Sequence, residues 1–448
     1  MHKDIDNMEF NNIVKNLTSQ NFIKIKNKKY QLDYPLRDKW INDFIKYFHV
    51  KTLNRMGASN NPMMFYFRNG YFQLGVEDVL KKLSYKTLTT FWKQHIYIDI
   101  LQIIQAKTVV KNNYFYNFNP NYLNVKNGTI ELFKNKKDKF EVKFNKHNPT
   151  YKQTTMFPIN YKPKIEYKFF EEFVVDITNK PKTIQRMFGY CLYKGYPYEV
   201  IFFLQGSGAN GKTQLLQCLI DILGQDLVCS VTLQKLVEDQ YAMAHLHNKF
   251  ANIVGDNPGK TLSSTAELKH LTDQTPIHAN AKFKPEFHFV NYAKIIFALN
   301  DLPKVNELDG AFWRRVVLIE FPRTFRDDEQ IPDYAKRHLT ETEIKRSAIF
   351  NYALDGLIDL LNRDHFDKDE AEVKRWMREM RMSEIERKIF SFLVRNPNKY
   401  FNKKEVAFAT KTTPEVARRH LAKLTSIEGM SVVADTSKVT HKYCYKVD

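Results

Sequence analysis

Residues 201–213 read IFFLQGSGANGKT. An apolar run, EVIFFLQ (199–205), enters a glycine-rich turn. TQLLQCLIDILG (213–224) leaves it with apolar residues at helical spacing and a stop at Gly224. An unbroken apolar run is what a strand buried on both faces of a parallel sheet looks like. Glycine just past the last periodic position ends a helix. Strand, glycine turn and helix in that order define an α/β unit built around a loop.

The loop has the spacing Gly206-x-x-x-x-Gly211-Lys212-Thr213. Where no Cβ intrudes, backbone N–H groups can turn inward around phosphate oxygens. The helix that follows directs its positive end at the anion. Lys212 is placed to neutralise β- and γ-phosphate charge, and Thr213 to offer its hydroxyl to Mg²⁺. Gly206, Ser207, Gly208, Ala209, Asn210, Gly211, Lys212 and Thr213 are therefore the expected cradle for ATP. A glycine-rich turn alone is an ordinary surface feature; the flanking strand and helix make this one a phosphate loop.

Further strands are expected at FANIVG (250–255), YAKIIFAL (292–299) and RVVLIEF (315–321), alternating with helical stretches. That alternation predicts an α/β core with a parallel sheet. Asp256 ends FANIVGD, where it could bind Mg²⁺ or orient the attacking water. An acid after a strand is also common in turns. Asn300 ends YAKIIFALN and could hold the lytic water or sense the γ-phosphate, or close a turn before Pro303. Arg314 and Arg315 follow in AFWRRVVLIEF; they could stabilise phosphate charge, form a surface ion pair or stack on Trp313. Glu267 and Asp273 are possible helpers, although helix surface is the commoner role of such acids.

The chain has 448 residues, too many for one ordinary core. Its net charge of +19 is unevenly spread. Residues 1–165 carry 28 Lys and Arg against 12 Asp and Glu; residues 166–373 carry 24 against 30; residues 374–448 carry 17 against 8. Two basic ends flank a mildly acidic centre, and basic surfaces attract phosphate backbones by Coulomb forces and counterion release. Cys191, Cys218, Cys229 and Cys444 show no CxxC spacing, which argues against a zinc ribbon or a disulfide framework. The polar N-terminus MHKDIDNMEF and the lack of a long apolar stretch predict a cytoplasmic protein with no membrane partner. Residues 1–165 offer no paired-acid metal site, so any primase acting with this chain would be a separate one.

The expected organisation is a basic α+β domain over 1–165, in which Asn127-Gly128 marks a hairpin. A helical collar follows over 166–196, then the core over 197–330 and a helical extension over 331–379. In residues 380–448 three amphipathic helices precede two strand-like runs, which predicts a winged helix. TTPEVARRHLAKL would then be the recognition helix, with Arg418, Arg419 and Lys423 facing a major groove and Lys438, His441 and Lys442 near the wing. Winged helices also dock proteins, and that reading stands beside duplex binding.

Taken together, GSGANGKT, FANIVGD, HANAKFKPEFHF, KIIFALNDLP and AFWRRVVLIEFP resemble the superfamily 3 helicases. The nearest likeness is to the phage and poxvirus-type primase-helicase branch, which includes replication initiators (Rep proteins) of staphylococcal pathogenicity islands and phages. Upstream, YLNVKNGTIEL and NYKPK resemble the domain preceding the ATPase in that branch. The resemblance implies an AAA+ fold, a homo-hexameric ring, ATP sites between subunits and a pore hairpin gripping single-stranded DNA. Carried over, Lys212 and Thr213 hold triphosphate and Mg²⁺, and Asp256 is the Walker B acid. Asn300 becomes the sensor, Arg314 or Arg315 the arginine finger, and Lys282 and Lys284 the pore cations. Cations near aromatics around a proline suit phosphate and base contacts, though an exposed hairpin would look the same. Two departures stand out: LTDQTPI (271–277) replaces a glycine-rich turn, and Asn257 follows Asp256 where many helicases have a second acid. The expected function is an ATP-dependent replicative helicase and initiator that binds duplex origin DNA through its tail. A P-loop kinase and an origin-melting protein without processive unwinding are the rival readings.

Overall fold

The computed structural model describes residues 2–26, 29–53, 62–115, 119–257, 262, 264–280, 282, 286–300, 303, 310–368, 383–426, 432–435 and 442–445. The chain forms two compact units: residues 1–257, 267–300 and 315–366 make the larger, and 258–266, 301–314 and 367–448 the smaller.

In the larger unit, the described residues up to Val110 include a helical cluster on a four-stranded sheet. Helices Tyr34–Phe48, Val76–Leu88 and Gln94–Thr108 surround buried Trp40, Phe44, Leu80, Ile100 and Ile104. Helix Tyr34–Phe48 starts where Asp33 accepts from Leu36 N–H and Pro35 occupies the first turn, a position that has no use for an N–H. Next comes a three-stranded antiparallel sheet, Tyr122–Val125, Gly128–Lys134 and Phe140–Asn145; the expected hairpin is there, but its turn is Lys126-Asn127, with Gly128 already paired to Val125.

Helices Lys168–Ile177 and Pro181–Tyr190 lead into the core. The second packs closely on Glu343–Arg363, because glycine faces glycine across the contact. A Cβ on Gly189 would lie 2.2 Å from Leu357 N, and one on Gly356 would lie 2.0 Å from Gln185 O. Backbones this near leave no room for a side chain. Arg186 closes the contact by pairing with Asp359 at 2.6 Å.

The central sheet has five strands, all parallel. Its order is Val228–Cys229, Ala251–Val254, Lys294–Leu299, Ile201–Gln205, Val316–Glu320. The predicted strands are present with trimmed ends. Their residues are almost all buried, as a strand covered on both faces requires. The strand carrying the glycine loop lies between two strands that come later in the chain. Ligand crevices of open α/β sheets form at such positions, beyond the carboxyl ends of the strands.

The described part of the smaller unit holds helices Glu384–Val394, Lys403–Thr410 and Pro414–Ser426. With them is a three-stranded antiparallel sheet, Phe401–Asn402, Lys442–Tyr445, Val432–Asp435. Ile389, Leu393, Val406, Leu421, Leu424 and Tyr443 fill its core. Ser383 and Asn402 each cap a helix, with Glu386 and Glu405 returning a bond to the cap's own N–H.

Candidate functional site

The loop between Gln205 and Lys212 turns sharply by way of Gly208, at φ 104°, and Gly211, at φ 82°. A Cβ on Gly206 would fall 2.0 Å from Asn210 Nδ2, and one on Gly211 would meet Ile177 at 2.9 Å. So the glycines are needed twice, for backbone conformation and for space. The loop is pinned from outside as well: Phe325 N–H donates to Ala209 O at 2.7 Å.

Lys212 begins helix Lys212–Leu223 and is buried. Its amine donates to Gly206 O at 2.8 Å and to Asn210 Oδ1 at 3.0 Å. Burial pushes its pKa down to about 8, and the negative charge of Asp256 opposes that shift. Asn210 Nδ2 is buried without a hydrogen-bond partner. A buried cation held by neutral oxygens, with an unused donor beside it, is a site made for an anion.

That anion has a place to sit. A cavity of about 680 Å³ opens over the loop. Residues 208–214 form its floor; Asn300 lines it from the end of the adjacent strand Lys294–Leu299, and Gly255 and Asp256 from the end of the next strand, Ala251–Val254. Thr213, Asp256 and Asn300 are all exposed there. The structure thus brings Lys212, Thr213, Asp256 and Asn300 to one cavity. Thr213 and Asp256 supply hard oxygen donors, the kind Mg²⁺ takes when phosphate oxygens and water complete its shell. Among the described residues no cluster of three or more His, Cys, Asp or Glu could hold a metal without such help.

Asn257, the residue after Asp256, is buried, and its side chain accepts from Leu233 N–H at 2.9 Å. It anchors the helix Leu233–Glu238 from inside the fold.

The two arginines part company. Arg315 is buried and its guanidinium contacts Glu199 at 3.0 Å, Thr272 Oγ1 at 3.0 Å and Asp273. Those bonds stitch the mouth of strand Val316–Glu320 to two distant turns, and they also account for Asp273. Arg314 lies in the smaller unit with its side chain exposed, and its carbonyl accepts from Lys368.

Strands Pro276–Ala279 and Phe287–Val290 form the expected hairpin. Lys282 is exposed near its tip, with its amine 5.5 Å from the centre of the Tyr241 ring. Lys284 lies outside the described residues. In the smaller unit, Arg418 and Arg419 are exposed on helix Pro414–Ser426, while Ala417, Leu421 and Leu424 turn into the core. Lys423 reaches Glu386 Oε1 at 3.0 Å. Lys442 is in a strand; Lys438 and His441 lie outside the described residues.

Sequence reading missed the opposite wall of the cavity. Helix Lys168–Ile177 contributes Phe173 and Asp176, and residues 323–334 contribute Arg323, Phe325 and Tyr334 among others. No motif marks them, and about 150 positions separate the two groups.

Residues 204–315 match a family of unknown function, DUF5906. Residues 77–179 match the family described as D5 N terminal like. Over 142 residues the chain is 30% identical to "Putative helicase L207/L206" of Acanthamoeba polyphaga mimivirus. That stretch is 30% of this chain and 15% of the relative, so the chain matches a small part of a much longer protein. Two solved structures of the NrS-1 C-terminal region are also similar in outline. One has a TM-score of 0.47 at 11% identity and the other 0.45 at 12%, each covering 91% of this chain and 98% of that one. Of these matches, the mimivirus relative is the one whose name states a helicase, and the two matched families flank each other along residues 77–179 and 204–315. Among the described residues no helix is long and apolar enough to cross a membrane.

Proposed function

We propose that this chain is an Mg²⁺- and ATP-dependent replicative DNA helicase of the superfamily 3 kind, with an AAA+ core, acting as a hexameric ring. The convergence of Lys212, Thr213, Asp256 and Asn300 on one cavity carries the reading. Lys212 takes the β- and γ-phosphates in place of its two loop oxygens. Thr213 and Asp256 would hold Mg²⁺, which would supply positive charge to the phosphate oxygens. Asn300 positions the attacking water or senses the γ-phosphate. Arg314 is the better candidate for an arginine finger reaching a neighbouring subunit, since Arg315 is committed to Glu199 and Asp273.

Single-stranded DNA then passes the hairpin carrying Lys282 and Lys284. The smaller unit is a winged helix, and Arg418 and Arg419 contact an origin duplex, which makes the chain an initiator as well. Its element order, three helices with a small sheet formed largely after them, supports that assignment.

The deciding measurement is ATP hydrolysis with and without single-stranded DNA, in mixtures of wild type and Arg314→Ala. A ring with shared sites gives DNA-stimulated hydrolysis that the variant poisons out of proportion to its share. Hydrolysis indifferent to both would point to a self-contained enzyme, such as a kinase, and end the helicase reading. Unwinding of a forked duplex separates a motor from an origin-melting protein.

A further inference from the structure

The wall facing the glycine loop has its own construction. Phe173, Phe325 and Tyr334 line it, and each is half-buried, so each still offers ring surface to the cavity. The two sides of the wall hold one another. The Phe173 and Tyr334 rings lie 5.8 Å apart at 33°. Arg323 pairs with Asp176 on the helix and with Glu329 at 3.2 Å, and its guanidinium sits 4.2 Å from the centre of the Phe325 ring.

The wall is also tied to the phosphate loop. Phe325 N–H donates to Ala209 O at 2.7 Å, and Ala335 N–H donates to Gln214 Oε1 at 2.8 Å. A triphosphate occupies only the floor of a cavity this size. The rest is lined by three aromatic rings, by Arg323 with its carboxylate partners Asp176 and Glu329, and by Gln330, Ile331 and Pro332; with the cation already neutralised, this wall suits a flat π system better than more phosphate.

We propose that this wall is a slot for the nucleoside base. Phe173, Phe325 and Tyr334 supply the stacking surfaces, and Arg323 acts as a positioning residue that fixes the Phe325 ring and joins the two sides. The inference rests on the reading of the loop as a triphosphate cradle. Its consequence is that Phe173 and Asp176, inside the D5 N terminal like segment, complete the nucleotide site of the downstream core. Residues 323–334 do so from beyond both matched segments.

The test compares direct binding of Mg-ATP and Mg-tripolyphosphate, which lacks base and sugar, to the full chain by calorimetry. Wild type should bind ATP more tightly. Phe325→Ala and Tyr334→Ala should each weaken ATP by about 5- to 100-fold, the range of one lost stacking contact, and leave tripolyphosphate unchanged. Phe325→Tyr should retain ATP binding, which guards against a variant that merely unfolds. Lys212→Ala should weaken both ligands. If Lys212→Ala weakens both but Phe325→Ala and Tyr334→Ala spare ATP or weaken tripolyphosphate equally, the slot is wrong and the cradle stands. If wild type binds neither ligand, or Lys212→Ala changes neither, the cradle fails and the slot falls with it.

Discussion

Among the described residues the larger unit buries Lys194, Lys212 and Lys294, and the last two sit in opposite kinds of place. Lys212 opens a helix at the floor of a cavity, held by Gly206 O and Asn210 Oδ1. Lys294 begins a central strand and is sealed in the core. Its amine donates to Tyr292 O at 2.8 Å and to Tyr193 O, with the Tyr190 and Tyr196 rings 4.5 Å and 5.7 Å away. Burial depresses both, Lys212 to about 8 and Lys294 to about 7. A perturbed lysine is therefore no sign of function on its own. What separates the two is the space beside the amine. An anion can reach Lys212 and repay its lost hydration, whereas Lys294 meets core carbonyls and tyrosine rings.

The sharpest way to break this contrast is to remove Lys212. Lys212→Ala should lower ATP hydrolysis by about 100- to 1,000-fold, the usual loss for a preorganised charge-stabilising group, with thermal stability little changed. Normal hydrolysis in the variant would mean that the cavity is not the reaction site. Arg315→Ala should do the reverse. It removes a buried guanidinium and its bonds to Glu199, Thr272 and Asp273, and should cost about 2 kcal/mol of stability, seen in denaturant unfolding. Per folded molecule, its hydrolysis should stay near wild type. A stable Arg315→Ala that poisons wild-type subunits would move the finger assignment from Arg314 to Arg315.

The two cavity walls also show what kind of site a sequence can reveal. The phosphate side comes from eight adjacent residues with a backbone requirement so narrow that glycine spacing alone announces it. The other side comes from ordinary aromatics at 173, 325 and 334, whose meeting depends on tertiary packing and leaves no local pattern. The parallel sheet was legible for the same reason as the loop, since continuous apolar runs have one obvious use. Arg314-Arg315 was not. Two identical neighbours point to different surroundings, and the carboxylates that claim Arg315 lie at 199 and 273. Lys294 was invisible for a related reason: a lysine at the start of a strand reads as solvent-facing, yet here it is enclosed.

A third carboxylate extends the contrast to the smaller unit. Glu386 is buried, and burial alone would raise its pKa. Hydrogen bonds from His420, Ser383 N–H and Lys423 outweigh that and hold it down to about 2. Its folded value lies below the ordinary 4.5. The stability it contributes is therefore present above about pH 4.5 and disappears as the pH falls toward 2. Glu386→Ala should destabilise the three-helix core by about 2 kcal/mol at pH 7, read as faster amide exchange in helix Pro414–Ser426. The variant should also lose most of the wild-type weakening between pH 5 and pH 2. An unchanged acid response would mean that another group sets it.

The smallest effect separates the two lysines most cleanly, because one shift has two signs. Lys294 is at about 7 when folded and 10.5 ordinarily, so the unfolded chain binds more protons between those values. Its contribution thus makes stability rise with pH across that window, flattening above 10.5. Lys294→Met leaves the carbonyls of Tyr193 and Tyr292 without their donor and lowers stability at every pH, but it should remove part of the rise between pH 7 and 9. Lys212 adds to stability with the same sign, yet anion binding needs its charged form. Affinity for tripolyphosphate should therefore fall as pH passes about 8, in wild type and in Lys294→Met alike. Unfolding and binding curves at pH 7 and pH 9 check both. A Lys294→Met variant that keeps the full wild-type stability slope would show that the buried amine carries its charge unperturbed. The distinction between an enclosed lysine and one that waits for an anion would then rest on the cavity alone.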